Sequence, residues 1–289
     1  MKQVDLSIVD SNFLDTYIDS IAIDDIKTKL RALNLPILGP IIRDLERIIK
    51  ADVNTIKSSY LNLLDSLTKE EKKKVELAFD YSEHRKQEPF MQNFQKLNIK
   101  SCPFCNNNYV YYFQDGKNTI ATLEHYYPKS KYPHLSLSFY NLIPSCYVCN
   151  TKFKGSEKHV GNVIHPYIED FNQKASFSVD IDSLPAKKDI QLNIYLKSDD
   201  PRCKQSIDRF KLDKIYAEHS DIATEIWNKV QIYNEDRIRE LYDSFYKQLG
   251  YSEEDVKNFV FCNYLNQKDI NKRNHAKLTQ DILKQFELI

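Results

Sequence analysis

The chain has 289 residues, enough for one large domain or about two to three small ones with a real core. With 42% apolar and 28% charged residues it reads as a globular chain, and its 41 basic and 41 acidic residues cancel, which excludes a binder driven by overall charge. No apolar run approaches the roughly 18 to 20 residues of a membrane span; the longest candidate, LNLPILGPII, is broken by Asn34, two prolines and a glycine.

The amino-terminal MKQVDLSIVDSNFLD has early acids and no hydrophobic signal core, so a cytoplasmic location is expected. In a reducing compartment, six cysteines argue for metal ligands or free thiols over disulfides. Residues 1–95 read as a helical region. Ile41, Ile42, Leu45, Ile48 and Ile49 fall on one helical stripe, and Leu61, Leu64 and Leu67 repeat it. Thr68 and Glu71 form a capping-box pattern that predicts a helix through Val75, Leu77, Ala78 and Phe79.

Residues 96–160 differ in texture and in charge. YVYYF and NTIATLEH suggest two strands around the turn QDGKN. Eight lysines stand here against three acids, a local excess of the kind a phosphate backbone attracts, although any such run is by default a solvated face. Beyond this, residues 161–289 open with SFSVDI and IQLNIYL, whose alternation predicts a second hairpin across DSLPAKKD. From about 201 the pattern is helical to the end, through Ile207, Phe210, Ile215, Ile222, Ile226, Trp227 and Val230, with another helix start at Ser252 to Asp255. Five glycines leave no phosphate-binding glycine loop.

The cysteines carry the strongest signal. CPFC holds Cys102 and Cys105, and CYVC holds Cys146 and Cys149. Two such knuckles supply the four thiolates of a tetrahedral structural zinc site, because a C-x2-C turn lets both sulfurs reach one ion at about 2.3 Å. The forty residues between the knuckles exceed the usual zinc-ribbon spacing, and LEHYYPKSKY lies within them. A single CxxC would also suit a redox site, but paired knuckles without a following βαβ unit do not. Cys203 and Cys262 stand singly and are expected to be buried thiols.

Taken together, CPFC … LEHYYPKSKYPHLSLSFYNLIPSCYVCNTKFKG resembles an HNH endonuclease of the zinc-knuckle, ββα-metal family. The matching positions are Glu124-His125, Pro128, Asn141-Leu142, Cys146 to Cys149 with Asn150, and Lys154-Gly155; His125 precedes Asn141 by sixteen residues and Asn141 precedes Asn150 by nine. NVIHPYIEDF and RFKLDKIYAEHSDIATEIW further resemble the Septu and retron-associated HNH subgroup found beside ATPases in bacterial anti-phage systems. The chain departs from the pattern in two places: Glu124 stands where the family usually has Asp, and KSKYPHL replaces a Gly-Gly loop.

The resemblance implies an α+β fold, with mostly helical flanks around a zinc-stabilised ββα-metal core. It implies a metal-dependent endonuclease cutting DNA, the effector of a defence system, with an ATPase as partner. His125 would be the general base, since imidazole accepts a water's proton near neutral pH. Asn141 would hold the intervening loop and orient the histidine. Glu124 and the side-chain oxygen of Asn150 would bind a catalytic Mg²⁺ or Mn²⁺, hard cations that need few protein oxygens. Lys129, Lys131, Lys152 and Lys154 are candidate phosphate contacts. His134, His159 and His165 fit structural roles as readily as functional ones. A catalytically weak, zinc-stabilised nucleic-acid-binding or ATPase-docking protein is the alternative reading.

Overall fold

The fold is a computed structural model in which residues 1–115, 118–153, 159–180 and 192–289 are described. Among the described residues helices dominate, joined by three two-stranded antiparallel sheets, a mixed arrangement compatible with the α+β class. The chain divides into two compact units: Val4–Ile99 with Val110–Gly161, and Met1–Gln3 with Lys100–Tyr109 and Asn162–Ile289. Most of the amino-terminal and central sequence segments thus fall in one unit, and residues 100–109 group with the carboxy-terminal segment.

In the first of these units the capping box forms as its residues dictate. The Thr68 hydroxyl accepts from the Glu71 N–H at 3.2 Å, and the Glu71 carboxylate accepts from the Thr68 N–H at 2.9 Å. Helix Lys69–Phe79 follows, burying Val75, Ala78 and Phe79 and ending where Asp80 turns left-handed. The stripe around Ile41 to Ile49 lies on two short helices, Gly39–Arg43 and Leu45–Lys50, and buries Ile41, Leu45, Ile48 and Ile49. Leu61 to Leu67 runs as turns after a widened helical turn at Ile56–Tyr60, and of the three leucines only Leu64 is buried. Ser58, Ser59, Asn62 and Asp65 offer side-chain bonds that compete with regular helix there.

Phe13, Tyr17, Phe90, Phe94 and Phe139 form the aromatic core, with contacting ring centroids 5.3 to 5.7 Å apart. Such pairs each add about 0.5–1.5 kcal/mol beyond area burial. The Tyr17 hydroxyl donates to the Leu137 carbonyl at 2.9 Å, tying the loop before the second strand of the site to this core.

The YVYYF segment does not become a strand of any length. Strands β1 (Gln114–Asp115) and β2 (Asn118–Thr119) pair over two residues each, and Gly116 and Lys117 of the expected turn lie outside the described residues. Aromatic β-propensity expresses fit to a half-buried pleated surface; Tyr111 and Phe113 are more than half exposed and lack that cover. The longer pair is β3 (Thr122–His125) with β4 (Leu142–Ser145), in a register that sets Glu124 opposite Ile143 and His125 opposite Leu142.

In the other unit β5 (Ala175–Val179) pairs with β6 (Ile194–Ser198), while the segment DSLPAKKD between them lies outside the described residues. The nearly wholly buried helix Ala276–Gln285 completes the edge of β5: Asp281 and Gln285 accept from the Phe177 and Val179 N–H groups, each at 2.9 Å. The fully buried Lys277 is matched there by Asp281 at 2.7 Å and Asn172 at 3.0 Å. Helix Pro201–Phe210 begins where Asp200 accepts the Arg202 and Cys203 N–H groups. Cys203 is buried as expected, but Cys262 is exposed: it sits just past helix Glu253–Val260 in a left-handed conformation, where the chain turns out to solvent.

Candidate functional site

The four knuckle cysteines converge. Cys102, Cys105, Cys146 and Cys149 are all buried, none is in a disulfide, and their sulfurs lie within 4.8 Å of one another. Four sulfurs at about 2.3 Å from a tetrahedral ion would stand about 3.8 Å apart, so the cluster needs only a small contraction to close on one. Backbone amides also face the sulfurs: the Asn107 N–H donates to Cys105 Sγ and the Cys149 N–H to Cys146 Sγ, both at 3.4 Å. Four buried soft donors with amide support can hold a metal ion such as zinc.

The first knuckle is held in shape by Asn106, which the sequence reading did not single out. Its left-handed backbone (φ 51°) closes the turn, and its fully buried amide donates to Ser101 Oγ and to the Ile270 and Arg273 carbonyls at 2.8 to 3.0 Å. Its Oδ1 accepts the Lys277 N–H at 3.0 Å. An asparagine directly after CxxC was the available signal, since Asn tolerates left-handed backbone better than other residues bearing a Cβ.

On β3, Glu124 and His125 are neighbours whose side chains leave opposite faces. Glu124 is buried and His125 half-buried. His125 Nε2 stands 3.0 Å from the Ser136 carbonyl oxygen. A carbonyl can only accept, so Nε2 carries the proton and Nδ1 presents the lone pair; Nδ1 makes no hydrogen bond among the described residues. The Tyr81 ring meets the imidazole edge-on, with centroids 4.5 Å apart. Burial pushes the imidazole pKa down to about 4, opposed by the Ser136 carbonyl and assisted by the nearby Lys129 charge. The ring is therefore neutral at pH 7, a proton acceptor at Nδ1. Burial, and then the charge of Glu124, raise the Tyr81 phenol above its ordinary value, so it stays protonated.

Asn141 is fully buried and committed on both ends of its amide. It accepts from the Tyr127 N–H at 2.7 Å and donates to the Tyr127 and Leu135 carbonyls at 3.1 and 2.9 Å, while its own carbonyl accepts the Tyr126 N–H. It thus pins the loop that carries Ser136, and through Ser136 it positions the imidazole. Asn150 is half-buried on the helical turn Val148–Lys152, against which β3 packs. Beyond the four cysteines, no group of three or more His, Cys, Asp or Glu side chains converges among the described residues.

The lysines separate. Lys129 pairs with Glu76 at 2.9 Å and lies over the Tyr81 ring; burial would raise the Glu76 carboxyl, but Lys129 and Lys73 together draw it below its ordinary value. Lys131 lies over the Tyr132 ring and is exposed, as is Lys152. Lys154 lies outside the described residues. Of the other histidines, His134 is buried with Nε2 donating to the Tyr60 carbonyl at 2.7 Å, and His165 is buried with Nδ1 accepting the Tyr167 N–H. His159 is buried as well. Tyr81, Glu76 and Ser136, which surround His125, left no signal in the sequence because each reaches it only through folding.

No family model and no solved structure matches the chain. It is 32% identical over 104 residues to the protein ea31 of Escherichia phage lambda, a match covering 34% of this chain and 32% of the phage protein. The chain thus spans about a third of that relative's length, and the relative's name states no activity. No helix among the described residues is long and apolar enough to cross a membrane.

Proposed function

We propose that this protein is an HNH-type endonuclease that hydrolyses phosphodiester bonds of DNA, with its four-cysteine cluster holding a structural zinc. The observation that carries the reading is the setting of His125: Nε2–H is tied to the Ser136 carbonyl, which leaves Nδ1 as the acceptor, and Asn141 pins the loop that carries Ser136. Hydrolysis needs a water deprotonated in line with the leaving oxygen and a counter-charge at the phosphate. Nδ1 takes the water's proton, Asn141 and Ser136 keep the ring in the required tautomer, and Tyr81 limits its rotation. A divalent cation held by Glu124 and Asn150 would supply positive charge against the developing negative charge.

The test is cleavage of supercoiled plasmid with Mg²⁺ or Mn²⁺ by the wild type and by His125→Ala. Cutting that needs the cation and vanishes in the variant supports the proposal; undiminished cutting by a folded His125→Ala removes His125 as the base.

The resemblance to anti-phage HNH nucleases extends the proposal to a role as a defence effector beside an ATPase. One observation favours a protein partner: Phe245, Leu249, Tyr251 and Phe259, on and between helices Glu235–Ser244 and Glu253–Val260, are 43 to 60% exposed. Co-purification with the product of a neighbouring ATPase gene, lost in Phe245→Glu, would test it.

A further inference from the structure

Helix Lys69–Phe79 takes no part in the proposed chemistry, yet it sorts its charges by side. At 3.6 residues per turn, Lys69, Lys72, Lys73 and Glu76 share one flank, spaced i, i+3, i+4 and i+7. Glu70, Glu71 and Lys74 fall on the other flank, and Glu71 is folded back onto Thr68. Val75, Ala78 and Phe79 face the core between the two. Three of the helix's four lysines therefore gather on one side with a single carboxylate.

Tertiary contacts join that flank to the site. Glu76 Oε1 meets Lys73 Nζ at 3.3 Å and Lys129 Nζ at 2.9 Å, so one oxygen holds both ammonium groups. Lys129 lies over the Tyr81 ring at 5.6 Å, and that ring meets the His125 imidazole with centroids 4.5 Å apart. The contacts run unbroken from Lys73 to His125. Lys72 stands beside the turn Pro133–Leu135, against which the helix packs: burial lowers the His134 pKa there, and the Lys72 charge adds to the effect. The flank keeps an excess of positive charge. Lys69 and Lys72 enter no ion pair among the described residues, and Lys73 shares its carboxylate with Lys129 while 61% of its side chain stays exposed. Four ammonium groups thus stand against one carboxylate. A row of this kind attracts a phosphodiester backbone, which releases a counterion for each phosphate neutralised. An acidic protein would meet the same charge, but the flank is continuous with the imidazole at which a phosphodiester is proposed to be cut, and one DNA backbone reaches both.

We infer that the Lys69–Lys72–Lys73 flank binds backbone phosphates of the DNA beside the phosphate that meets His125. The inference rests on the nuclease reading for the identity of the ligand. It adds a contact surface from the amino-terminal helices, outside the central segment that resembles the HNH family.

The experiment measures binding apart from cleavage. In full-length protein carrying His125→Ala, fluorescence anisotropy of a labelled DNA duplex is recorded between about 50 and 200 mM salt. Adding Lys69→Gln, Lys72→Gln and Lys73→Gln should lower the slope of log affinity against log salt by about 0.9 per lysine that meets a phosphate, about 2.7 for all three. Arginine at the same three positions should keep the slope, a comparison that holds even if the glutamine set fails to fold. Lys74→Gln makes the same change of charge on the opposite flank and should leave the slope unchanged. An unchanged slope in the triple variant, or a loss in Lys74→Gln equal to that per residue of the triple, would overturn the inference. So would a triple variant that keeps its DNA slope but loses a protein co-purifying with wild type. If wild type cuts no DNA while the triple variant still lowers the slope, the nuclease reading fails alone. If wild type cuts and the triple variant binds as before, the flank inference fails alone.

Discussion

The β3–β4 and β5–β6 pairs are of nearly equal length and use their residues in opposite ways. β5 alternates buried and exposed side chains, and β6 runs between half-buried and exposed, so one face of the sheet meets the core and the other meets water. β3 and β4 are buried throughout except at His125, and they bury Thr122, Glu124 and Ser145 among the apolar residues. A carboxylate is rarely buried without a specific role, because it loses hydration on entering the interior. The regular pair is scaffold, readable from period two; the irregular pair departs from the pattern where chemistry is proposed, as expected when local rules yield to a site.

The comparison breaks first at the metal. Cys149→Ser should lose the bound ion and several kcal/mol of stability, because metal affinity is folding free energy for such clusters; metal analysis and thermal melting of the variant check this, and chelation of wild type should lower its melting point in parallel. The next largest effect falls on the rate. His125→Ala should reduce cleavage about 10²- to 10⁴-fold, the usual contribution of a general base, while leaving metal content unchanged, which separates the site from the cluster. Asn141→Ala leaves the Tyr127 N–H and the Tyr127 and Leu135 carbonyls without their side-chain partner and should cost about 2–5 kcal/mol by urea denaturation.

Smaller effects sharpen the contrast. Burial lowers the His134 pKa from 6.5 to about 4, so the unfolded chain binds its proton first as pH falls. Its contribution leaves stability unaffected above pH 6.5 and lowers it progressively towards pH 4. His134→Gln should flatten that acid limb in urea midpoints measured at pH 7, 5.5 and 4.5. Lys129→Ala removes a partly exposed pair with Glu76 and should cost less than about 1 kcal/mol of stability.

Much of the local structure was legible because its causes are local. Thr68 and Glu71 make the capping box that their spacing predicts, and the paired CxxC motifs announced four thiolates that do converge. YVYYF was misread as a strand because aromatic propensity stands in for burial that this segment lacks, and Cys262 was misplaced because nothing in a helical period says where the chain turns outward. Motif spacing proposes Glu124, His125, Asn141 and Asn150, and it is silent on Tyr81, Glu76 and Ser136, which meet His125 only in the fold.

By itself the sequence determined what depends on neighbours along the chain: the caps, the apolar stripes, the knuckle turns and the presence of a histidine beside a carboxylate. Only the tertiary structure decided that Ser136 claims Nε2, that Tyr81 covers the ring, and that burial keeps the imidazole neutral. The reason is physical: a side chain's proton and tautomer are set by whatever surrounds it in space, and in this chain those groups lie eleven residues downstream at Ser136 and forty-four upstream at Tyr81.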